Sequence, residues 1–224
     1  MSTSAFSYHV LWNNNNGNPS DKMLEKSKVY SFWHSRWSKK FSGNGQPPLS
    51  WESDFFQHDA VTWLSQGEEV VACHLYSFYD LNRDLDQEYF RYLKSESVQS
   101  ILNGFGPRAM TMEYLCASAP PEGAPLTLGA TMIALGSRLA FEEGSGSVLG
   151  MPIDGTSVSQ KVKDLGMGAT CIEKGINKYG YQLRLLATNP FVAMSNEPAT
   201  AKSWLNDLWD RRSTTLSQPL TLSA

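Results

Sequence analysis

The sequence predicts one α/β domain with a mixed central sheet, and three observations support this. Two β-rich runs, 59–65 and 69–79, flank a Gln-Gly pair that is typical of a hairpin turn. A third β-rich run, 109–119, is followed by an apolar segment with helical periodicity at 126–143. Two further β-rich runs follow near the end of the chain. Because hairpins occur at both ends of this order, we expect a mostly antiparallel sheet with helices on both faces, not a doubly wound sheet.

Besides the hairpin at 59–79, the N-terminal half should contribute one strand and two helices. Residues Phe6 to Trp12 have the pattern of a short strand, which ends at a run of asparagines. From Ser20, a suitable N-cap, apolar residues recur at helical spacing to about Phe41. The segment 42–50, rich in glycine and proline, should end this helix. A second helix is expected at 89–102, before a Gly-Phe-Gly-Pro breaker.

The C-terminal half should begin with a helix packed closely on the sheet, because the segment 126–143 carries the small residues Gly129 and Gly136. The elements expected after it are a strand, a helix and two closing strands, at 147–151, 156–165, 169–173 and 180–188. We assign 1–195 to this domain, 196–212 to a C-terminal helix packed on it, and 213–224 to a flexible tail.

Composition excludes several classes of function. The chain has 224 residues, 41% of them hydrophobic, with a formal net charge of -3 and a pI near 5.8. An acidic balance gives no reason to expect a nucleic-acid partner. No window approaches eighteen uninterrupted apolar residues, and the N-terminus lacks the pattern of a signal peptide. We therefore expect no membrane span and a cytoplasmic location.

The cysteines indicate neither a disulfide framework nor a metal site. Cys73, Cys116 and Cys171 lie far apart in the sequence, without a CxxC pair or a histidine cluster near them. Reduced thiols are expected, and a free cysteine in an apolar strand usually packs as a small hydrophobe. One alternative is that Cys116 acts as a nucleophile activated by His74.

A single carboxylate stands out in the stretch TMEYLCASAPPEG, which begins at Thr111. Glu113 interrupts an apolar strand, and burial there should raise its pKa and make it a better base near neutral pH. Such a base can take the proton from an amine during acyl transfer. The alternative is a structural role, in which Arg108 or Arg138 donates hydrogen bonds to Glu113.

The order of these features resembles the GNAT acyltransferase superfamily. The phrase MEYLCASAPPEG precedes a small-residue helix, and SVSQKVKDLGMGA matches a helix that ends in a Leu-Gly step. A narrower resemblance is to acyl-homoserine-lactone synthases and long-chain N-acyl amino acid synthases. It rests on the order of five landmarks: Arg36, Phe41, WESDF at 51–55, VVACHL at 70–75 and MEYLC at 112–116.

This resemblance implies a GNAT-like fold and transfer of an acyl group from acyl carrier protein or acyl-CoA, with no bound cofactor. Glu113 would be catalytic, and Leu115, Cys116 and Ala117 would bind the donor through their backbone. His74 and Cys116 replace arginines of the lactone synthases, which disfavours S-adenosylmethionine as the acceptor. Gln57 likewise stands near where those synthases have an aspartate.

Two further departures concern the acyl donor and the general acid. The glycine-rich loop that binds the coenzyme A pyrophosphate is represented only by Gly123 and Gly129, with no basic residue before them. Carrier protein is therefore the better-supported donor. Val162 replaces the tyrosine that often protonates the departing thiolate.

The remaining predicted site residues serve the acceptor and the donor. His74, Glu52, Asp54 and Arg36 are predicted to bind the small amine acceptor, with Glu52 and Asp54 side by side in an extended segment. Trp37 and Phe41, with Trp33 and Trp51, are predicted to line an acyl tunnel, although aromatic residues at helical spacing are more often core. The first helix is basic and should attract an acidic carrier protein, or else is a solvated face. Its basic residues are Lys22, Lys26, Lys28, Arg36, Lys39 and Lys40.

The predicted function is therefore an N-acyltransferase that moves a fatty acyl group to an amino acid or similar amine. One alternative is an acyl-homoserine-lactone synthase, which would make an autoinducer. Another is a GNAT-like module without catalytic activity that binds an acyl ligand or a protein, favoured by Val162 and by the poor pyrophosphate loop.

Overall fold

A computed structural model of the chain describes residues 6–13, 19–43, 51–120 and 122–215. Within these ranges the strands β1 to β8 are Phe6–Trp12, Ala60–Gln66, Glu69–Asp80, Arg108–Ala117, Ser147–Gly150, Thr170–Lys178, Tyr181–Thr188 and Ser213–Thr215. The helices α1 to α7 are Pro19–Ser42, Trp51–Gln57, Ser95–Phe105, Leu128–Glu142, Val158–Asp164, Pro190–Ser195 and Ala199–Asp210. A short 3-10 helix, Glu88–Tyr92, lies between β3 and α3.

All eight strands form one sheet in the order β6-β7-β5-β4-β3-β2-β1-β8. The pairs β4 with β5 and β1 with β8 are parallel, and the other pairs are antiparallel. The predicted mixed, mostly antiparallel sheet is confirmed.

Helices cover both faces of the sheet, as the side chains of β3 demonstrate. Leu75 packs with Trp33 of α1, whereas its neighbour Tyr76 packs with Met132 of α4. Because adjacent side chains of a strand point to opposite faces, α1 and α4 lie on opposite sides. α6 and α7 contact α4, and α2 and α3 lie on the α1 side.

The close packing of α4 depends on Gly136. A Cβ atom at this position would lie 2.6 Å from the Tyr76 hydroxyl oxygen and 2.8 Å from the Met112 methyl group. The glycine therefore allows the helix backbone to approach β3 and β4, and the predicted small-residue packing is confirmed.

Three predicted elements need correction. The segment that carries Glu52 and Asp54 is the helix α2 rather than an extended chain. Residues two apart on a helix point in different directions, so these carboxylates do not form the predicted pair. The helix predicted at 89–102 is divided between the 3-10 helix and α3. The C-terminal helix predicted at 196–212 begins only at Ala199, with Pro198 as its N-cap.

The predicted flexible tail is wrong at its start, because Ser213–Thr215 forms β8 and pairs with His9–Leu11 of β1. Residues 216–224 lie outside the described residues, as do the segments 14–18 and 44–50 and the side chains of Ser20 and Lys22. No helix in the described part of the chain is long and apolar enough to cross a membrane.

Candidate active site

The two central parallel strands separate partway along their length. β5 pairs with β4 from Ala109 to Met112 and ends at Gly150, whereas β4 continues to Ala117. Beyond Met112, the described residues of β4 pair with β3 but not with β5. The edge of β4 that faces away from β3 therefore carries backbone groups with no strand partner in the described sheet.

A cavity of about 370 Å³ lies at this separation. Its walls come from β4, β5, β7, the C-terminal part of α1 and the β6–β7 hairpin. Representative lining residues are Trp37, Phe41, Glu113, Leu115, Met151 and Tyr181. The lining is mainly apolar, which suits an acyl chain, and Glu113 supplies a carboxylate beside it.

β4 contains a bulge immediately after Glu113. Two residues of β4, Tyr114 and Leu115, lie opposite the single residue His74 of β3. Tyr114 adopts a φ of 56°, a left-handed conformation that is uncommon for a non-glycine residue. Trp37 donates a hydrogen bond of 3.0 Å to the Tyr114 carbonyl oxygen, and the Tyr114 hydroxyl group donates one to Asp54. These bonds hold a strained backbone next to Glu113.

Glu113 is largely buried, with 14% of its side chain exposed. The Thr111 hydroxyl donates a hydrogen bond of 2.9 Å to its Oε1 atom, and the Nε2 atom of His58 lies 3.4 Å from the same oxygen. Arg108 and Arg138 instead bind Glu143 and Glu197. The alternative in which these arginines hold Glu113 is therefore wrong.

His58, on the short connection between α2 and β2, was not identified from the sequence. Its Nδ1 atom donates a hydrogen bond of 2.6 Å to the Asp54 carbonyl oxygen, so the proton on that nitrogen is fixed. Its Nε2 atom has no hydrogen-bonding partner among the described residues and faces Glu113 within ion-pair range. We call Glu113 and His58 the dyad.

The two dyad members shift each other's ionisation. Burial alone would raise the pKa of Glu113, but the charges of His58 and Lys178 and the hydrogen bond from Thr111 outweigh it, and the pKa is lowered. Burial alone would lower the pKa of His58, but the charge of Glu113 outweighs it, and the pKa is raised. The predicted rise in the pKa of Glu113 is therefore wrong, because a histidine distant in the sequence compensates for burial.

His74 lines the cavity as a neutral ring. Burial lowers its pKa to about 3. The Nδ1 atom of His74 lies 3.2 Å from the hydroxyl oxygen of Tyr76. The Tyr76 hydroxyl group donates its proton to the Met132 carbonyl oxygen. The Sγ atom of Cys116 lies instead against Cys73, so the Cys116–His74 nucleophile pair is not formed by these contacts.

Aromatic and basic residues line the cavity where α1 meets the β6–β7 hairpin. The tip of the β6–β7 hairpin, 178–181, packs on the C-terminal part of α1, where Tyr181 donates a hydrogen bond of 2.7 Å to the Lys40 carbonyl oxygen. Arg36, Lys40 and Lys178 all line the cavity. Lys178 also lies 3.9 Å from Glu88, and the positive charges of Arg36 and Lys40 favour an anionic group on this side of the cavity.

Most of the predicted site residues converge on this cavity. Those that line it are Arg36, Trp37, Phe41, His74, Glu113, Leu115 and Cys116. Ala117, Glu52 and Asp54 are not among the described lining residues, nor are the tunnel candidates Trp33 and Trp51, which are buried in the core beneath α1. Asp54 instead supports the site from outside the cavity, because its carboxylate accepts a hydrogen bond from Tyr114 and its carbonyl oxygen accepts one from His58.

Tyr89 is a second cavity residue that was not identified from the sequence. It lies on the 3-10 helix and is only 3% exposed, and its hydroxyl group has no hydrogen-bonding partner among the described residues. Burial and the charge of Glu113 raise its pKa well above the ordinary tyrosine value. A buried hydroxyl without a partner costs free energy, so a ligand in the cavity is a natural partner for it.

No family model matches the sequence, and no curated protein matches it. Solved structures match its fold. TofI, in a ternary complex with an inhibitor and MTA, aligns with a TM-score of 0.56 at 13% identity, over 87% of this chain and 99% of TofI. BjaI, a CoA-dependent acyl-homoserine lactone synthase bound to SAM and isopentyl-CoA, aligns with a TM-score of 0.57 at 11% identity, over 96% of this chain and 95% of BjaI.

FeeM, an N-acyl amino acid synthase from uncultured soil microbes, aligns with a TM-score of 0.54 at 10% identity, over 88% of this chain and 98% of FeeM. The chain therefore has the GNAT-like fold of these synthases. The resemblance predicted from the order of landmarks in the sequence is confirmed at the level of the fold.

Proposed function

We propose that the protein is an N-acyltransferase that moves an acyl group from a thioester donor to the amine of a small acceptor. The observation that carries this proposal is the position of the dyad, Glu113 and His58, beside an apolar cavity at the point where β4 and β5 separate. Acyl transfer needs an apolar channel, donors for the carbonyl oxygen and a base for the amine, and the cavity offers all three. The fold shared with acyl-homoserine lactone and N-acyl amino acid synthases supports the same reaction.

The acyl thioester would lie along the free edge of β4. There the backbone N–H groups of Leu115 and Ala117 would hold the thioester oxygen and the pantetheine amides, as oriented donors do in other acyl transfers. The N–H group of Cys116 points to β3 instead, since Ser118, two residues further along, donates its N–H to Val71 of that strand. Trp37 and Phe41 would contact the acyl chain.

The dyad would act as one base. While His58 carries a proton, its charge keeps Glu113 a weak base. When His58 is neutral, burial raises the proton affinity of the Glu113 carboxylate, which can then accept a proton from the attacking amine. The amine nitrogen bonds to the carbonyl carbon, the proton passes to Glu113 and on to His58, and the carbon–sulfur bond breaks to release the thiolate.

The donor would enter from the basic rim formed by Arg36, Lys40 and Lys178. These charges suit both the phosphopantetheine of a carrier protein and the phosphates of coenzyme A. Lys161 also reaches the N-terminus of α4, since a Cβ atom on Gly129 would lie 3.2 Å from its Cε atom. It would supply the basic residue that the glycine-poor loop lacks.

The acceptor would approach the α1 side of the cavity, where Glu113 and Tyr89 lie, whereas His74 faces the α4 side of the sheet. A neutral His74 and the absence of an arginine at Cys116 favour an amine other than S-adenosylmethionine, such as an amino acid. An acyl-homoserine-lactone synthase is distinguished by whether S-adenosylmethionine is consumed.

The test is detection of the N-acyl product by mass spectrometry after incubation with acyl carrier protein or acyl-CoA donors and a panel of amines. We expect product from the wild type and at least a 100-fold loss in Glu113→Gln, in line with the usual contribution of a general base. Glu122→Gln, an exposed carboxylate in the loop before α4, is the matched control. Equal rates in Glu113→Gln and wild type would remove the proposed role of the dyad.

A second candidate is a binding module without catalytic activity. Val162, where the resemblance implies a tyrosine acid, lines the cavity with an apolar side chain. Tight retention of an acyl ligand in native mass spectrometry, with no product from any donor and amine pair, would select this candidate.

A further inference from the structure

Two cysteines meet across neighbouring strands at the cavity wall. Cys73 of β3 and Cys116 of β4 are register partners in the antiparallel pair, and their Sγ atoms lie 3.2 Å apart. Both are free thiols. Cys73 is fully buried, whereas Cys116 is partly exposed and lines the cavity.

This geometry is compatible with a covalent bond between the two sulfurs. Directly opposite residues of antiparallel strands have Cα atoms roughly 4.5 to 5.5 Å apart, within the range of about 4.4 to 6.8 Å found for disulfides. The side chains of both cysteines already point at each other, so closure needs rotation of the side chains and little movement of the backbone.

We propose that Cys73 and Cys116 are a site of reversible oxidation, at which hydrogen peroxide converts the thiol pair to a disulfide in the wall of the cavity. The Sγ atom of Cys116, reached through the cavity, attacks one peroxide oxygen. The oxygen–oxygen bond breaks, and the departing hydroxide leaves as water with the thiol proton, so Cys116 becomes a sulfenic acid.

The Sγ atom of Cys73 then attacks the Sγ atom of Cys116. The sulfur–sulfur bond forms, the sulfur–oxygen bond breaks, and the second hydroxide leaves as water with the proton of Cys73. In total the two thiols lose two hydrogen atoms, and one peroxide is reduced to two waters. A dithiol such as dithiothreitol reverses the change by thiol–disulfide exchange.

The position of this bond links it to the site. Cys116 follows Tyr114 and Leu115, the two residues of the bulge, and a disulfide would fix β4 to β3 immediately after them. It would also remove a free thiol from the cavity wall. Cys171, in contrast, is an exposed thiol on β6.

The test is intact-mass analysis of the full chain after treatment with hydrogen peroxide, followed by mapping of unreduced peptides. We expect a loss of about 2 Da that dithiothreitol restores, and a cross-linked peptide that joins Cys73 to Cys116. The cross-link should persist in Cys171→Ser and disappear in Cys73→Ser and Cys116→Ser. The oxidised protein should unfold at a temperature about 10 °C higher, because the bond closes a long loop in the unfolded chain.

Three results would overturn the proposal. One is that both thiols remain open to alkylation in denaturant after a peroxide dose that oxidises Cys171. Another is oxidation of Cys116 to a sulfinic acid without the cross-link. The third is a loss of about 2 Da that persists in Cys73→Ser or depends on Cys171. Cys171→Ser keeps the pair intact, so the test stands even if the other variants fold poorly. Because the readout is a mass, it does not depend on acyl transfer.

Discussion

Replacement of His58 by glutamine tests the dyad through its effect on stability at different pH values. At 3.4 Å and an effective dielectric constant of about 20, the attraction between the two charges is about 5 kcal/mol before desolvation is subtracted. The variant leaves Glu113 without its counter-charge. The Glu113 carboxylate can instead become neutral by binding a proton. For an ordinary carboxyl pKa of 4.5, this protonation costs about 2 kcal/mol near pH 6. The loss in unfolding free energy should therefore be at most about 2 kcal/mol there.

The sign of the pH dependence follows from the two shifts. The raised pKa of His58 gives stability that is complete below 6.5 and is lost as pH rises through the folded-state value. The lowered pKa of Glu113 gives stability that is complete above 4.5 and is lost as pH falls through the folded-state value. The difference between wild type and His58→Gln should therefore be largest between these limits and decline on both sides.

Urea unfolding of both proteins at a series of pH values measures this difference. The matched control is His34→Gln, since His34 also lies near a carboxylate, 4.0 Å from Glu52, but the side chains of His34 and Glu52 are both substantially exposed. We expect the control to change stability by less than about 0.5 kcal/mol at every pH. A flat difference for His58→Gln, or one equal to the control, would refute the ionised dyad.

Three further predictions follow from other contacts. Gly136→Ala should destabilise the fold by about 1 to 3 kcal/mol in urea unfolding, because the added methyl group overlaps the sheet. Gly104→Ala in α3 is the control, because a Cβ atom added there would meet no other atom, and this change should be neutral or stabilising. Equal losses of stability in the two variants would contradict the packing argument. Tyr89→Phe should keep or raise stability while it lowers kcat/KM about 10-fold, and an unchanged kcat/KM would exclude contact with substrate. Arg36→Ala combined with Lys40→Ala should raise KM for the donor and weaken its salt dependence, and an unchanged salt dependence would place the donor elsewhere.

Most strands and the mixed character of the sheet could be predicted because their signals are local. Alternating apolar residues and the Gln66-Gly67 turn define the first hairpin, and the structure confirms it. The small residues of α4 likewise predict, from the sequence alone, that this helix packs closely on the sheet. Helix α2 was not predicted, since its seven residues are too few for a clear periodicity and tertiary packing of Trp51 and Phe55 stabilises it.

The candidate site was predicted in part, and the omissions have a common cause. Glu113 was identified because a carboxylate in an apolar strand is conspicuous. His58 and Tyr89 carry no such signal, because their importance arises only when α2 and the 3-10 helix bring them beside β4. The pKa of Glu113 was predicted in the wrong direction for the same reason, since burial is visible in a strand pattern but a counter-charge from 55 residues away in the sequence is not.

The most direct measurement of the central claim is a structure of the protein with a non-hydrolysable acyl thioether analogue of the donor. We predict the acyl carbonyl at the separation of β4 and β5, within hydrogen-bonding distance of a backbone N–H group of Leu115 or Ala117. Its carbon should lie on the side of Glu113, with the acyl chain toward Trp37 and Phe41. An analogue bound outside this cavity, or a Glu113 carboxylate turned away from its carbonyl, would contradict the account.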